Sequence, residues 1–401
     1  MASCNVLQEV RKEVAIWNKT SCGAPQSSAS LEPTGTELCD KEVQVSVPTT
    51  TNTGGKTRLT DIADQAGVST ATVSRVLNGK VGVASDTRQA VLAALDVLGY
   101  ERPEKLRNRS AGLVGLVVPE LSNPVFPAFA QTIEGLLSQR GYTPLLCTQS
   151  PGGTTEDEYI EMLQEHSVDG ILFVAGLHAD TRASHARYEQ LRAQGTPLTF
   201  VNGFASGIEA PFISCDDHAA MELAVRHLVS LGHQRIGLAI GPSRFITAQR
   251  KIEGFKEALR SHLGQMSTDE HVATSLFTVE GGQAAANDLI DSGHTAIVCG
   301  SDLMALGAVR AAHQRRLSVP DDISVIGYDD SPLIGFTDPP LTTIRQPVSA
   351  MAHAAVSGLI AMIEGSPAPK SELLFHPELI VRNSTGTSPD ARVSAYQVVN
   401  G

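Results

Sequence analysis

The chain has 401 residues, of which 42% are hydrophobic, and it carries a formal net charge of −12. This length allows two or three domains with full hydrophobic cores, and no apolar run approaches the roughly 18 residues that a membrane helix needs. The charge is unevenly distributed, because residues 57–109 contain eight Lys or Arg against six Asp or Glu, a balance of +2 that leaves −14 for the rest. The composition therefore excludes a chain that is basic throughout, but it allows a restricted basic surface.

Residues 1–56 show no recognisable pattern. The segment from Ser46 to Lys56 contains several Thr residues together with Gly and Pro, which predicts disorder. The absence of a continuous apolar h-region argues against a secretory signal. We interpret the segment as a disordered extension or as a start codon assigned too far upstream, the alternative being a functional tail.

The stretch from Leu59 to Asn78, LTDIADQAGVSTATVSRVLN, predicts two short helices around a tight turn. Gly67 ends the first helix, because glycine adopts positive φ at little cost, and Ser69 is the candidate N-cap of the second. Apolar residues recur on one face of each helix: Leu59, Ile62, Ala63 and Ala66, then Val73, Val76 and Leu77. The outward positions of the second helix carry Thr70, Ala71, Thr72, Ser74, Arg75 and Asn78. Such a surface suits a DNA major groove, and the alternative is a helical hairpin with a solvated face.

This stretch resembles the helix-turn-helix of the LacI/GalR family of transcriptional repressors. A third helix, predicted from Ala84 to Leu98, completes a headpiece over residues 57–100. The resemblance implies that Thr70, Ala71 and Arg75 read base edges. It also implies a set of residues that contact phosphates and fix the register: Ser69, Thr72, Asn78, Thr87 and Tyr100.

A basic linker, ERPEKLRNRSAG, joins the headpiece to the body at residues 101–112. The family resemblance implies that it folds into a hinge helix on operator DNA and places a leucine in the minor groove. Leu106 is the candidate for that role. The linker is shorter than in the lactose and purine repressors, and the alternative is a solvated basic linker.

From Leu113 onward, apolar strands such as LVGLVVP (113–119) and RIGLAIG (235–241) alternate with amphipathic helices. This alternation predicts an α/β fold of parallel sheets covered on both faces. The body, residues 113–401, resembles the two-lobed periplasmic binding proteins. The resemblance implies crossings near residues 233, 343 and 376, so that lobe 1 spans about 113–233 and 344–375 and lobe 2 about 234–343 and 376–388. A ligand is expected between the lobes, at the carboxyl ends of the strands.

Several residues are candidates for binding a small effector in this cleft. Phe126, in the loop PELSNPVFP, is expected to stack on a sugar ring, the alternative being a core phenylalanine. Lys251 stands at the usual arginine position of the family, with Arg250 as the alternative, and Thr247 matches a ligand-contacting hydroxyl. Phe277 aligns with a ring-stacking phenylalanine in a variable loop.

Two aspartates follow predicted strands in the second half of the body. Asp302, in CGSDLMALGA, and Asp329, in GYDD, match effector-binding positions of the family. Ionised carboxylates accept strong hydrogen bonds from vicinal sugar hydroxyls. The alternative for either aspartate is an N-cap of the following helix.

No motif of a catalytic site or a metal site is present, and none of the six cysteines forms a C-x-x-C pair. We therefore expect no enzyme activity, no cofactor, and reduced cysteines in a cytoplasmic protein. The resemblance implies a homodimer that represses a carbohydrate operon, binds double-stranded operator DNA and is released by a sugar of the maltose or maltodextrin type. No leucine heptads follow the last strand, which disfavours a tetramer. The alternatives are a sugar receptor without a DNA role and a co-repressed regulator.

Overall fold

The computed structural model describes residues 59–77, 83–98, 112–149, 152–265, 267–367 and 371–391. The extension 1–56 and the linker 101–111 lie outside these ranges. Within them, no helix combines the length and the apolar character needed to cross a membrane.

The headpiece consists of short helices, α1 (Leu59–Ala66), α2 (Thr70–Leu77) and α3 (Ser85–Val97). Gly67 has a φ of 63°, as a glycine at a helix end allows. The Ser69 hydroxyl accepts a hydrogen bond of 3.2 Å from the backbone N–H of Thr72, so Ser69 does cap α2. Ile62 and Val73 are buried, as the apolar spacing predicts.

The first lobe is built on a six-stranded parallel sheet. Its strands are β1 (Gly112–Val118), β2 (Tyr142–Thr148), β3 (Gly170–Val174), β4 (Leu198–Val201), β5 (Phe212–Cys215) and β11 (Glu372–Phe375). Their order in the sheet is β11-β5-β4-β3-β1-β2. Its helices are α4 (Val125–Gln139), α5 (Glu156–Glu165), α6 (Ala186–Ala193) and α11 (Val348–Ile363). The central strands β3, β4 and β5 are buried along their whole length, because helices cover both faces of the sheet.

The second lobe has a similar six-stranded sheet. Its strands are β6 (Ile236–Ile240), β7 (Val272–Thr274), β8 (Ala296–Cys299), β9 (Ser324–Asp329), β10 (Thr342–Arg345) and β12 (Glu378–Ile380). Their order is β12-β10-β9-β8-β6-β7, and only the pairing of β12 with β10 is antiparallel. Its helices are α7 (Asp217–Ser230), α8 (Ile246–Leu263), α9 (Val279–Asp291) and α10 (Asp302–Gln314). The predicted class, parallel α/β lobes after a helical headpiece, is confirmed.

The chain crosses between the lobes at three places, and the first differs from expectation. Helix α7 packs against α8 and β12 of the second lobe, so the first crossing lies at residue 216, not near 233. The reason is that an apolar stripe shows that a helix packs on a core but does not show which sheet provides that core, so the sequence pattern does not assign α7 to a lobe. The other crossings lie at residues 346–347, before α11 packs on the first lobe, and at 376–377.

Candidate ligand pocket and nucleic-acid interface

A cavity of about 560 Å³ lies between the lobes, at the carboxyl ends of their parallel strands. The first lobe lines it with Glu120, Asn123, Phe126, Gln149, Asn202 and Ser214. The second lobe lines it with Asp217, Arg244, Phe245, Thr247, Lys251, Phe277, Tyr328 and Asp329. Gln346, on the second crossing, completes the wall. This is the position where open parallel sheets bind ligands.

A buried ion pair forms one part of the wall. The Lys251 Nζ lies 2.6 Å from Asp217 Oδ1 and 4.0 Å from the centroid of the Tyr328 ring. The Tyr328 hydroxyl also donates to Asp217 Oδ1, at 2.8 Å. Burial and the neighbouring Asp217 carboxylate raise the pKa of Tyr328, which keeps the hydroxyl protonated as a donor. The lysine and the aspartate thus neutralise each other and remain beside the cavity.

A hydrogen-bonded chain links both lobes through the second crossing. The Asn202 amide, after β4, donates to Gln346 Oε1 at 3.2 Å, and Gln346 Nε2 donates to Asp329 Oδ1 at 2.6 Å. Burial and the carboxylate of Asp302 raise the pKa of Asp329 well above its ordinary value. The residue also has a φ of 118°, a strained conformation for a side chain other than glycine. Such strain persists only where the surroundings hold it in place.

Asp302 does not line the cavity. It is 1% exposed, and its two carboxylate oxygens accept hydrogen bonds from the Ser331 backbone N–H at 2.7 Å and the Thr343 hydroxyl at 2.6 Å. It is not the N-cap of α10 either, because Ser301 caps that helix through the N–H of Met304 at 3.3 Å. Burial raises the pKa of Asp302 to about 6. The structure therefore does not bring Asp302 into the cavity, as the expected effector contact would require, and Asp302 instead ties the loop after β9 to β10.

Arg250 also lies outside the cavity wall. Its guanidinium makes bidentate hydrogen bonds of 2.6 and 2.9 Å to Glu372 on β11, which joins the second lobe to the first. Successive residues of α8 point in different directions, so Lys251 faces the cavity and Arg250 does not. The alternative assignment to Arg250 is corrected accordingly.

Three phenylalanine rings provide apolar surface in the cavity. Phe126 comes from the first lobe, whereas Phe245 and Phe277 come from the second, with their centroids 6.4 Å apart. A Cβ at Gly241 would lie 2.1 Å from Phe277 Cε2, so only glycine leaves room for this ring. Thr247 lies beside them in the wall. Aromatic faces of this kind cover the apolar faces of sugar rings.

The outward face of α2 is available to a partner. Thr70, Ala71 and Arg75 are exposed on one short helix, while Thr72 is half-buried and its hydroxyl lies 2.9 Å from that of Ser69. Thr87, on α3, is half-buried. Three further DNA-contact predictions, at Asn78, Tyr100 and Leu106, fall outside the described residues.

Comparisons with known proteins find matches for the headpiece and for part of the body. Residues 58–103 match the model of bacterial regulatory proteins of the lacI family, and residues 225–385 match a periplasmic binding protein-like domain. A relative in Streptomyces coelicolor, the HTH-type transcriptional regulator MalR, is 64% identical over 339 residues, which cover 84% of this chain and 98% of the relative. The regulator reg1 of Streptomyces lividans is also 64% identical, over 84% of this chain and 99% of its own length. The chain belongs to the LacI family.

Solved structures of the family agree with this assignment. The complex of the regulator CelR with cellobiose matches with a TM-score of 0.61 and 30% identity, over 82% of this chain and all of that one. A lac repressor dimer bound to operator and the anti-inducer ONPF matches with a TM-score of 0.59 and 27% identity, over 82% of this chain and 99% of that one. The predicted family is therefore confirmed.

Several pocket residues of this LacI-family chain were not predicted from its sequence: Gln149, Asn202, Asp217, Phe245 and Gln346. A signal for four of them was present, because each follows within two residues of the carboxyl end of a strand, β2, β4, β5 or β10. Phe245 precedes α8 in a loop that carries no such signal. Among the described residues, no three His, Cys, Asp or Glu side chains are grouped as a metal site would require.

Proposed function

We propose that this LacI-family regulator is a homodimeric repressor of a carbohydrate-utilisation operon, and that a small saccharide bound between its lobes releases it from operator DNA. The observation that carries the proposal is one pocket in which phenylalanine rings lie beside carboxylate and amide side chains. Rings cover the apolar faces of a sugar, and the polar groups bond its hydroxyls. The same chain exposes a reading helix suited to DNA.

The effector is proposed to be of the maltose or maltodextrin type. A volume of about 560 Å³ falls within the range of roughly 300–1,000 Å³ for small-molecule pockets and leaves room for more than one sugar ring. The name of the MalR relative, at 64% identity, supports regulation of a carbohydrate operon, and the cellobiose bound to CelR, at 30% identity, supports a ligand of more than one sugar ring. Asp329, Lys251 and Asn202 are the proposed hydroxyl partners, and Phe126, Phe245 and Phe277 the proposed stacking surfaces.

The headpiece is proposed to read operator sequence through Thr70, Ala71 and Arg75. An arginine can donate two hydrogen bonds to a guanine edge, worth about 1–3 kcal/mol of discrimination. Arg75→Ala should therefore weaken cognate operator about 5- to 150-fold while random DNA changes much less. Equal losses on both DNAs would make Arg75 a phosphate contact only. Fluorescence anisotropy with both DNAs, at one fixed salt concentration, measures the two affinities.

Asn78 provides a contrasting variant for the proposed phosphate contacts. Asn78→Ala should weaken cognate and random DNA by the same factor, because a phosphate contact carries no base information. A change in base preference after this substitution would place Asn78 among the base-reading residues instead.

Release is proposed to follow from linkage between the two sites. A saccharide that prefers one arrangement of the lobes shifts the population towards it, and operator must then weaken saccharide binding by the same factor. The test is calorimetric titration of the full chain with a panel of sugars, with and without operator. A saccharide that tightens operator binding would identify co-repression, and saccharide binding without any affinity for DNA would identify a receptor.

A further inference from the structure

Besides the contacts already described, the lobes touch in the loops after β3 and β6. Asp180 and Thr181, after β3, meet Arg244 and Phe245, after β6, and we call these four residues the clasp. The Thr181 backbone N–H and its hydroxyl both donate to the Arg244 carbonyl oxygen, each at 2.8 Å. The Arg244 Nε lies 2.9 Å from Asp180 Oδ2, and Asp180 and Phe245 form an isolated antiparallel bridge.

The clasp is held from both sides by contacts within each lobe. The other Asp180 oxygen accepts a hydrogen bond from the Arg182 N–H at 2.9 Å, which fixes the carboxylate towards Arg244. On the opposite side, the Arg244 guanidinium lies 4.8 Å from the centroid of the Phe245 ring. Gln249 on α8 donates to the Ser243 carbonyl oxygen at 2.8 Å, which supports the loop. The clasp therefore consists of several contacts that support one another, and not of a single surface contact.

The strand order places the clasp across the pocket from the crossings. In the first sheet, β3 lies two strands away from β5, after which the chain makes the first crossing. In the second sheet, β6 stands three strands from β10, where the second crossing leaves. The pocket wall includes Asp217 and Gln346 near the crossings and Ala179 and Arg244 near the clasp. A ligand in the pocket is therefore enclosed between the crossings at one end and the clasp at the other.

The clasp also shapes the end of the pocket that it closes. Arg244 and Phe245 belong to both the clasp and the wall, whereas Asp180 and Thr181 support them from outside the cavity. A ligand that fits between the two ends leaves the clasp intact. A longer ligand that extends past Arg244 would have to separate Thr181 from Arg244 and break the ion pair with Asp180.

From this arrangement we infer that the clasp sets an upper limit on the number of sugar rings in the effector. The inference rests on the proposed function, since it takes the ligand to be a saccharide. Asp180 and Thr181 are then specificity-determining residues that touch no sugar. They act by holding Arg244 and Phe245 against the end of the bound chain.

The test compares the full-length wild type with D180A/T181V against glucose, maltose, maltotriose, maltotetraose and maltohexaose. Neither substituted residue lines the pocket, and both substitutions leave Arg244 in place. For the wild type, calorimetry should show a Kd that rises at least tenfold once the sugar exceeds a certain number of rings. In the double variant, this rise should shrink to less than threefold, while the best short sugar loses no more than about tenfold in affinity.

A matched control removes another ion pair of the same length. Arg192 and Glu209 pair at 2.9 Å on the surface of the first lobe, away from the pocket wall, so E209A should keep the wild-type profile of Kd against chain length. Unchanged thermal melting and operator affinity without sugar would show that D180A/T181V is folded.

Two results would overturn the inference, and they are distinguishable. If the wild type discriminates by length and the double variant keeps the same profile, the clasp does not set the limit, while the proposed function stands. If the wild type binds none of the sugars, the proposed effector class and the length limit fail together.

Discussion

The two walls of the pocket differ in how they carry charge. Among the lining residues that the structure describes, the buried acidic and basic side chains all belong to the second-lobe wall: Asp217, Lys251 and Asp329. The first-lobe wall offers neutral groups, such as Gln149, Asn202 and Phe126, and its Glu120 is only half-buried.

This difference indicates that the walls have different physical constraints. Charges that are buried need partners in the folded chain before any ligand arrives, and Lys251 and Asp217 provide them for each other. The second-lobe wall should therefore contribute to stability as well as to binding. The first-lobe wall carries no such requirement, and changes there should alter binding alone.

The largest expected effect is that of Lys251→Met. The substitution leaves the buried Asp217 carboxylate without its cation, and breaking a buried pair in this way costs about 3–5 kcal/mol in the free energy of unfolding. Urea denaturation of the full chain measures it. Lys256→Met is the control on the same helix, because the partner Asp269 is 90% exposed, and it should cost less than about 1 kcal/mol. Equal costs for both variants would show that the buried pair does not stabilise the second-lobe wall.

The next effect separates Asp329 from Asp302, two aspartates of the same lobe. Asp329→Asn should weaken saccharide binding about 5- to 150-fold, since an N–H donor replaces one acceptor oxygen and a buried group left without its hydrogen-bond partner costs about 1–3 kcal/mol. Asp302→Asn should change the saccharide Kd less than threefold, because Asp302 lies behind the wall. Calorimetry measures the saccharide Kd of both variants. A larger loss of affinity in Asp302→Asn than in Asp329→Asn would show that Asp302, and not Asp329, contacts the saccharide.

These two aspartates also mark how far the sequence predicts the site. Both follow parallel strands and both match family positions, so the sequence treats them alike. The two aspartates differ in the direction of their carboxylates. The Asp302 carboxylate is held away from the cavity by the donors Ser331 and Thr343, which lie 29 and 41 residues from it along the chain. Contacts of this range carry no local signal.

The fold itself was largely predictable, because its strands are apolar runs bounded by polar ends. The predicted strands 113–119 and 235–241 correspond to β1 and β6 with small shifts. The missed elements lacked a pattern: β7 has three half-exposed or exposed residues, and α9 starts with Val279, Glu280, Gly281 and Gly282, where two glycines weaken the helical signal. The glycines are needed there because Gly282 packs against the backbone of Met304.

Asp302 should also introduce a pH dependence of stability. Burial raises its pKa to about 6 in the folded chain, above the ordinary value near 4, so the folded state favours the protonated form. Its stabilising contribution is then fully present below about pH 4 and is lost as the pH rises through 6. The free energy of unfolding of Asp302→Asn, relative to that of the wild type, should therefore increase by up to about 1.4 kcal/mol per pH unit between these values. Urea midpoints at several pH values measure the difference, and parallel curves would contradict it.

The smallest expected effect tests the neutral wall. Phe126→Leu removes a ring that faces the cavity and keeps an apolar side chain, so saccharide binding should weaken by about 0.5–1.5 kcal/mol, the extra contribution of aromatic stacking. Because Phe126 is only partly buried, the urea midpoint should stay near that of wild type. Phe204→Leu, in the same lobe but outside the cavity wall, should leave the Kd unchanged. If Phe126→Leu instead lowers stability and leaves the Kd unchanged, the ring supports the loop after β1. The first-lobe wall would then contribute to stability, as the second-lobe wall does.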